Sequence, residues 1–178
     1  MPTRAPVLVG VMPELQLIPL LRRLAEEGID FVVIGGVAVE IHGYARFTKD
    51  LDIVYATNAA NLERLGRVLV ELGARLRGFE DLPFVPDVQT LRRAQMLTLV
   101  TPLGSLDLLV DPDGSARYEE MRERALTVEL DGIEIRVVAL EDLLSMKRAA
   151  RRPQDVADID ALLTTQRLQR SGQSDAPE

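Results

Sequence analysis

The sequence predicts an α+β fold, with strands and helices mixed along the chain and a helical pair at its C-terminal end, and three observations carry that expectation. Between residues 31 and 54, FVVIGGVAVEIHGYARFTKDLDIV reads as an apolar strand, a Gly-Gly turn, a short helix and a second strand. Further on, MLTLVTPLGSLDLLV and TVELDGIEIRVV each read as two β-rich runs joined by a tight turn. The chain then closes on two helical segments, LEDLLSMKRAAR and PQDVADIDALLTTQ.

Composition bounds the possibilities. With 178 residues, 47% hydrophobic and 28% charged, the chain fits one domain over residues 1–166, its helical end at 140–166. Residues 167–178 are polar and are expected to form a disordered tail. The absence of Cys excludes disulfides and thiolate metal sites, and a single histidine, His42, excludes a multi-histidine zinc site. No apolar run reaches the length of a membrane span, and the proline-interrupted start MPTRAPVLVGVMPELQL is a poor signal peptide. A soluble, cytoplasmic protein without a membrane partner is expected. The formal net charge of −7 disfavours indiscriminate capture of nucleic acid, while leaving room for a local basic patch.

Taken in order, Leu17, Leu20, Leu21 and Leu24 lie at helical spacing, with Gly28 placed to end the helix and Pro19 placing its firm part after itself. FVVI is a buried strand that Gly35 and Gly36 stop. VAVEIHGY is a short helix that is stable only if packed, with Gly43 as its cap and His42 in a local structural contact. Its amino end follows the glycine pair, where free N–H groups and the helix dipole favour an anion; a plain turn is the alternative.

The next strand carries two acids. Side chains on a strand repeat direction every two residues, so Asp50, Asp52 and Val54 face one way and Leu51, Ile53 and Tyr55 the other. The two acidic α-carbons stand about 6.5 Å apart. Anions held so close repel unless a cation lies between them, and a hard divalent ion such as Mg²⁺ suits carboxylate oxygens together with substrate phosphates. Thr48 shares this face if the strand starts early, where its hydroxyl either supports a phosphate or the metal shell or stabilises the turn.

NAANLERLGRVLVEL is an amphipathic helix with Asn58 as its cap. Residues 74–94 read as a loop-rich connection with one short strand, a helical turn near VQTLRR, and four scattered arginines, Arg75, Arg77, Arg92 and Arg93. In the following strand pair the turn is at Pro102–Gly104, and Ser105, Asp107 and Leu109 share one face. Asp107 is a lone acid in an apolar strand, and burying it unpaired costs on the order of several kcal/mol. Its compensation is a backbone or arginine partner, or, if the strand lies beside Asp50 and Asp52, the same cation.

Ser115 or Asp113 is placed to cap the helix ARYEEMRERAL, and Asp131-Gly132 centres an edge hairpin. Near the end, Lys147 falls on the inward stripe of its helix, facing a carboxylate or a bound triphosphate, or else snorkelling at the rim of the core. Arg148, Arg151 and Arg152 form a separate outward cluster. Pro153 takes the first position of the last helix, where Asp155 and Asp158 are accounted for by the helix dipole.

Three segments in order, Gly35-Gly36, then Thr48-Lys49-Asp50-Leu51-Asp52, then Asp107 in SLDLLV, resemble the nucleotidyltransferase superfamily of DNA polymerase β-like fold, and within it the AbiEii-type, minimal branch. LEDLLSMKRAARRPQDVADIDALL is similar to the family's helical end, where a lysine and a downstream acid approach the nucleotide. The resemblance spans residues 30–163; Gly36 stands where many members have Ser. It implies a nucleotidyltransferase fold, a mixed β-sheet packed by helices. It further implies transfer of NMP from an NTP to a hydroxyl acceptor, with Mg²⁺ or Mn²⁺ held by Asp50, Asp52 and Asp107. Gly35, Gly36, Thr48, Lys147 and Asp158 would bind the nucleotide, Lys147 also neutralising the leaving pyrophosphate. The implied acceptor is RNA, tRNA in a toxin-like enzyme with a cognate antitoxin or toxin partner, or a protein or small hydroxyl compound. A catalytically silent nucleotide-binding or regulatory module is the remaining reading.

Overall fold

The computed structural model of the chain describes residues 13–174; the first twelve residues of the proline-interrupted start and the last four of the expected tail lie outside it. Helix α1 (Leu17–Glu26) begins two residues before Pro19, not after it. Proline in the first turn removes only an N–H that has no intrahelical acceptor. Leu20, Leu21 and Leu24 are buried. Gly28, at φ +65°, ends the helix, with its N–H on the Ala25 carbonyl. Strand β1 (Phe31–Ile34) is buried throughout. Helix α2 (Gly35–Ile41) opens on the glycine pair itself, so the pair is the helix's first turn.

Strand β2 (Asp50–Tyr55) follows, then helix α3 (Ala59–Glu71), which Asn58 caps as expected by accepting from the Asn61 N–H at 3.0 Å. The irregular stretch holds β3 (Arg75–Leu76) and α4 (Val88–Arg93), and β4 (Met96–Thr101) and β5 (Gly104–Leu109) form the expected pair. Helix α5 (Tyr118–Arg124) starts later than a Ser115 or Asp113 cap requires. The Ser115 N–H instead closes a turn on the Pro112 carbonyl, and Arg117 stands at the N-cap without a side-chain bond.

Strands β6 (Leu126–Leu130) and β7 (Ile133–Val137) pair around Asp131 and Gly132, at φ +49° and +76°, the positive values a two-residue hairpin turn demands. Helices α6 (Leu140–Ala150) and α7 (Pro153–Ser174) are separated by Arg151, in the left-handed region at φ +54°. The segment from residue 167, expected as a tail, is therefore helical to Ser174. Arg, Leu and Gln at 167–170 extend an existing helix at little cost. Its side also has a partner: a Cβ built at Gly43 would lie 3.1 Å from Thr165 and 3.7 Å from Gln169.

Among the described residues seven strands make one sheet in the order β3-β4-β5-β2-β1-β7-β6. β1 runs antiparallel to β2 and parallel to β7, and β2 runs parallel to β5, so the sheet is mixed. The β6–β7 hairpin takes the expected edge. On β2, Leu51, Ile53 and Tyr55 are at most 1% exposed, and the Tyr55 hydroxyl donates to the Leu91 carbonyl of α4 at 2.7 Å. Burial of such a side chain contributes about 1.5–3 kcal/mol. A one-residue slip would expel all three, so pleat parity fixes Asp50 and Asp52 on the opposite face. Among the described residues no helix is long and apolar enough to cross a membrane.

Candidate active site

Parallel pairing of β2 with β5 sets Asp52 directly beside Asp107, and Asp50 beside Ser105. Neighbouring strands stand about 4.8 Å apart, and in-register neighbours point to the same face. Asp50, two residues from Asp52, shares that face. The three acids named from the sequence are thus brought together by one strand pairing.

Their electrostatics follow from crowding. Burial, joined by the nearby Asp107 and Asp50 carboxylates, pushes the Asp52 carboxyl up to about 7 against the opposing Gly36 N–H and Arg152. Burial likewise raises Asp107, to about 6, although the Arg77 guanidinium opposes it and Asp50 adds to it. Desolvation outweighs a guanidinium whose Nη2 lies only 2.6 Å from Asp107 Oδ1. Arg77 also spans toward Asp50, with Nη1 3.7 Å from Oδ2. Its backbone is fixed one residue past β3, where its N–H donates to the Thr98 carbonyl at 2.9 Å.

The glycine pair is needed for close approach. Gly35 has φ +64°, and a Cβ there would collide with the Asp52 carboxylate. A Cβ on Gly36 would lie 2.6 Å from Thr48 Oγ1 and 3.0 Å from Arg46 Nη2. The Gly36 N–H, expected to face an anion, donates to the Asp52 carboxylate. The Thr48 hydroxyl donates to the Asp50 carbonyl at 3.2 Å, the bond that its turn-stabilising reading expects.

Lys147 points inward, and the anion it meets is a pair of carboxylates. Nζ lies 2.7 Å from Asp158 Oδ2 and 3.1 Å from Asp155 Oδ1, with the lysine 6% exposed. Asp158, 1% exposed, also pairs through Oδ1 with Arg46 Nε at 3.1 Å. These two acids are therefore buried ion-pair partners, where their positions in the first turns suggested dipole complements and the family resemblance gave Asp158 to the nucleotide. Asp155 additionally accepts from the Arg152 N–H at 3.1 Å. The ion pairs run from Lys147 through Asp158 to Arg46, whose Nη2 lies where a Gly36 side chain would go, and so reach from the helical end toward the carboxylate face.

Three arginines belong to this neighbourhood that the sequence did not single out. Arg152, placed with an outward cluster, exerts its field on both Asp52 and Asp107. Arg46 links Asp158 to the glycine pair. Arg77 answers the demand of the lone Asp107 for a partner, which the sequence posed without choosing among four nearby arginines. His42 does make a structural contact, but a distant one, Nε2 to the Val138 carbonyl at 2.8 Å.

The donor set is chemically that of a hard divalent cation: three carboxylates on one face, two of them with raised proton affinity. Among the described residues no three acidic or histidine side chains stand as a ready-made cage. Arg77 lies between two of the acids. A groove of about 440 Å³ opens at the other end of β2, past Val54 and Tyr55, and takes in none of these side chains.

A family model described as nucleotidyl transferase AbiEii toxin, type IV toxin–antitoxin system, matches residues 19–175. No curated protein matches the chain in sequence. Among solved structures, the lincosamide antibiotic adenylyltransferase LnuA in its lincomycin-bound form superimposes with a TM-score of 0.59 at 16% identity, covering 84% of this chain and 95% of that one. ANT(2″)-Ia in complex with adenylyl-2″-tobramycin superimposes with a TM-score of 0.51 at 15% identity, covering 82% and 84%. At these identities the likeness is one of fold.

Proposed function

The chain belongs to the AbiEii nucleotidyltransferase family, and on that premise we propose that it transfers NMP from an NTP to a hydroxyl of RNA, in a divalent-metal-dependent reaction. The observation that carries the reading is the register that sets Asp52 beside Asp107 with Asp50 on the same face. Asp50 and Asp52 would hold the ion that binds the triphosphate, and Asp107 would join them on the acceptor side. When bound, Mg²⁺ or Mn²⁺ supplies charge neutralisation at the phosphates and lowers the pKa of the attacking hydroxyl.

The chain's own residues supply the positioning. Gly35 and Gly36 let the Asp52 carboxylate and the Thr48 hydroxyl close on the backbone, and their N–H groups would offer phosphate the start of a helix, which favours negative charge. Thr48 buttresses the turn that presents Asp50. The Arg152 guanidinium, whose field already reaches Asp52 and Asp107, is placed to offset charge on departing pyrophosphate. Lys147 acts through Asp158 and Arg46 to hold this end of the site together.

For the acceptor, tRNA is the leading RNA, with the enzyme acting as the toxin of a toxin–antitoxin pair in the cytoplasm, where NTP is supplied, and held in check by a cognate antitoxin protein. A second reading, a small hydroxyl compound, is favoured by the net charge of −7, which repels a polyanion. The two fold neighbours, solved with lincomycin and with adenylyl-tobramycin, support it. Incubation with each α-labelled NTP, Mg²⁺ and separate pools of cell RNA, cell protein and aminoglycosides or lincosamides tests both. Label in RNA supports the first reading and label in the small molecules the second. Labelling by Asp52→Asn at the wild-type rate, or label in no pool, would sink the enzymatic reading.

A further inference from the structure

Arg77 holds a place that the reaction needs for something else. Its two Nη atoms address Asp107 and Asp50 from one guanidinium, and these are two of the three acids assigned above to the divalent ion. Its Nε is buried and has no hydrogen-bond partner. The head group is thus held by those carboxylates, while the backbone is tied separately to Thr98. Immediately afterwards Gly78, at φ +80° and with nothing within 4 Å of a built Cβ, turns the chain outward, and Phe79 is 62% exposed. The chain therefore borders open space directly after the residue that carries the guanidinium, whose own side chain is 27% exposed.

A guanidinium and a dication cannot share the same carboxylate oxygens without like-charge repulsion. We propose that Arg77 is a resident counter-ion that competes with the divalent ion for Asp50 and Asp107, so that it stabilises the metal-free enzyme and weakens metal binding until nucleotide arrives. This rests on the metal-dependent reading above and adds a positioning residue to it. The device keeps three adjacent acids compatible with folding, and makes ion capture depend on the extra affinity that triphosphate oxygens contribute.

The test is Mn²⁺ binding to the full chain without nucleotide, read as loss of the free-ion signal in electron paramagnetic resonance, with melting temperature measured alongside. Arg77→Gln is expected to bind Mn²⁺ about tenfold more tightly than wild type. It should also melt lower in EDTA and regain the difference in Mn²⁺. Arg77→Lys, which keeps the charge but replaces the two separate Nη donors by a single ammonium on a shorter arm, should fall between the two, and it carries the test if Arg77→Gln does not fold. A merely structural role would leave affinity unchanged or weaken it. Equal or weaker binding by both variants, with wild-type binding saturable and lost in Asp52→Asn, overturns the inference and leaves the metal-dependent reading standing. No saturable binding in wild type or either variant overturns both.

Discussion

At the scale of single residues, the site is defined by what its glycines exclude. Gly28 and Gly35 share nearly the same backbone angle, φ +65° and +64°, but only Gly35 has the Asp52 carboxylate where a Cβ would go. Gly28→Ala should cost about 1 kcal/mol from backbone strain alone. Gly35→Ala should cost at least about 1 kcal/mol more and displace Asp52, so urea denaturation of the two variants isolates the collision. Equal losses would show that Asp52 moves aside freely. Asp52→Asn is the opposite case. It removes a charge that burial and two neighbouring carboxylates oppose, and its amide oxygen can still accept from the Gly36 N–H. Its melting temperature in EDTA should rise while nucleotide transfer falls by about 100-fold or more.

At the scale of elements, the junction of α6 and α7 matters most. Arg151 adopts a left-handed angle to end α6, Pro153 opens α7, and the turn between them brings Asp155 and Asp158 onto the Lys147 ammonium. Removing one member of a buried pair leaves the others uncompensated. Lys147→Met should therefore destabilise the fold by about 3–5 kcal/mol, measured by chemical denaturation. Asp158→Asn should cost less, because its amide still accepts from Lys147 while Asp155 keeps its charge. If Lys147→Met left stability unchanged and only raised the KM for NTP, the lysine would be a direct nucleotide ligand, and its role here would need reversing.

At the scale of the whole molecule, the carboxylate face sets a pH dependence. The Asp52 carboxyl lies near 3.8 when unfolded and is raised to about 7 in the fold, mainly by burial. The native state therefore holds a proton that the unfolded state has lost between roughly pH 4 and pH 7. In that window stability falls as pH rises, the reverse of an ion-paired aspartate. In EDTA the wild type should have a higher urea midpoint at pH 5.5 than at pH 8. Asp52→Asn should reduce that difference, and Mg²⁺ should raise the pH 8 value. An unchanged difference in the variant would place the dependence elsewhere.

The strands 31–34 and 50–55, the two hairpins, the Asn58 cap and the glycine–aspartate–aspartate order were legible in the sequence because each is a local matter of periodicity, turn chemistry or parity. Parity alone put Asp50 and Asp52 on one face. The sequence could demand a partner for Asp107 and an anion for Lys147, since a buried charge is costly, but it could not choose them. Those choices belong to tertiary structure. The β2–β5 register delivered Asp107 to Asp52, the turn after β3 delivered Arg77 to Asp107, and the α6–α7 turn delivered Asp155 and Asp158 to Lys147. Long-range ion pairs depend on where whole elements come to rest, and no spacing along a chain records that.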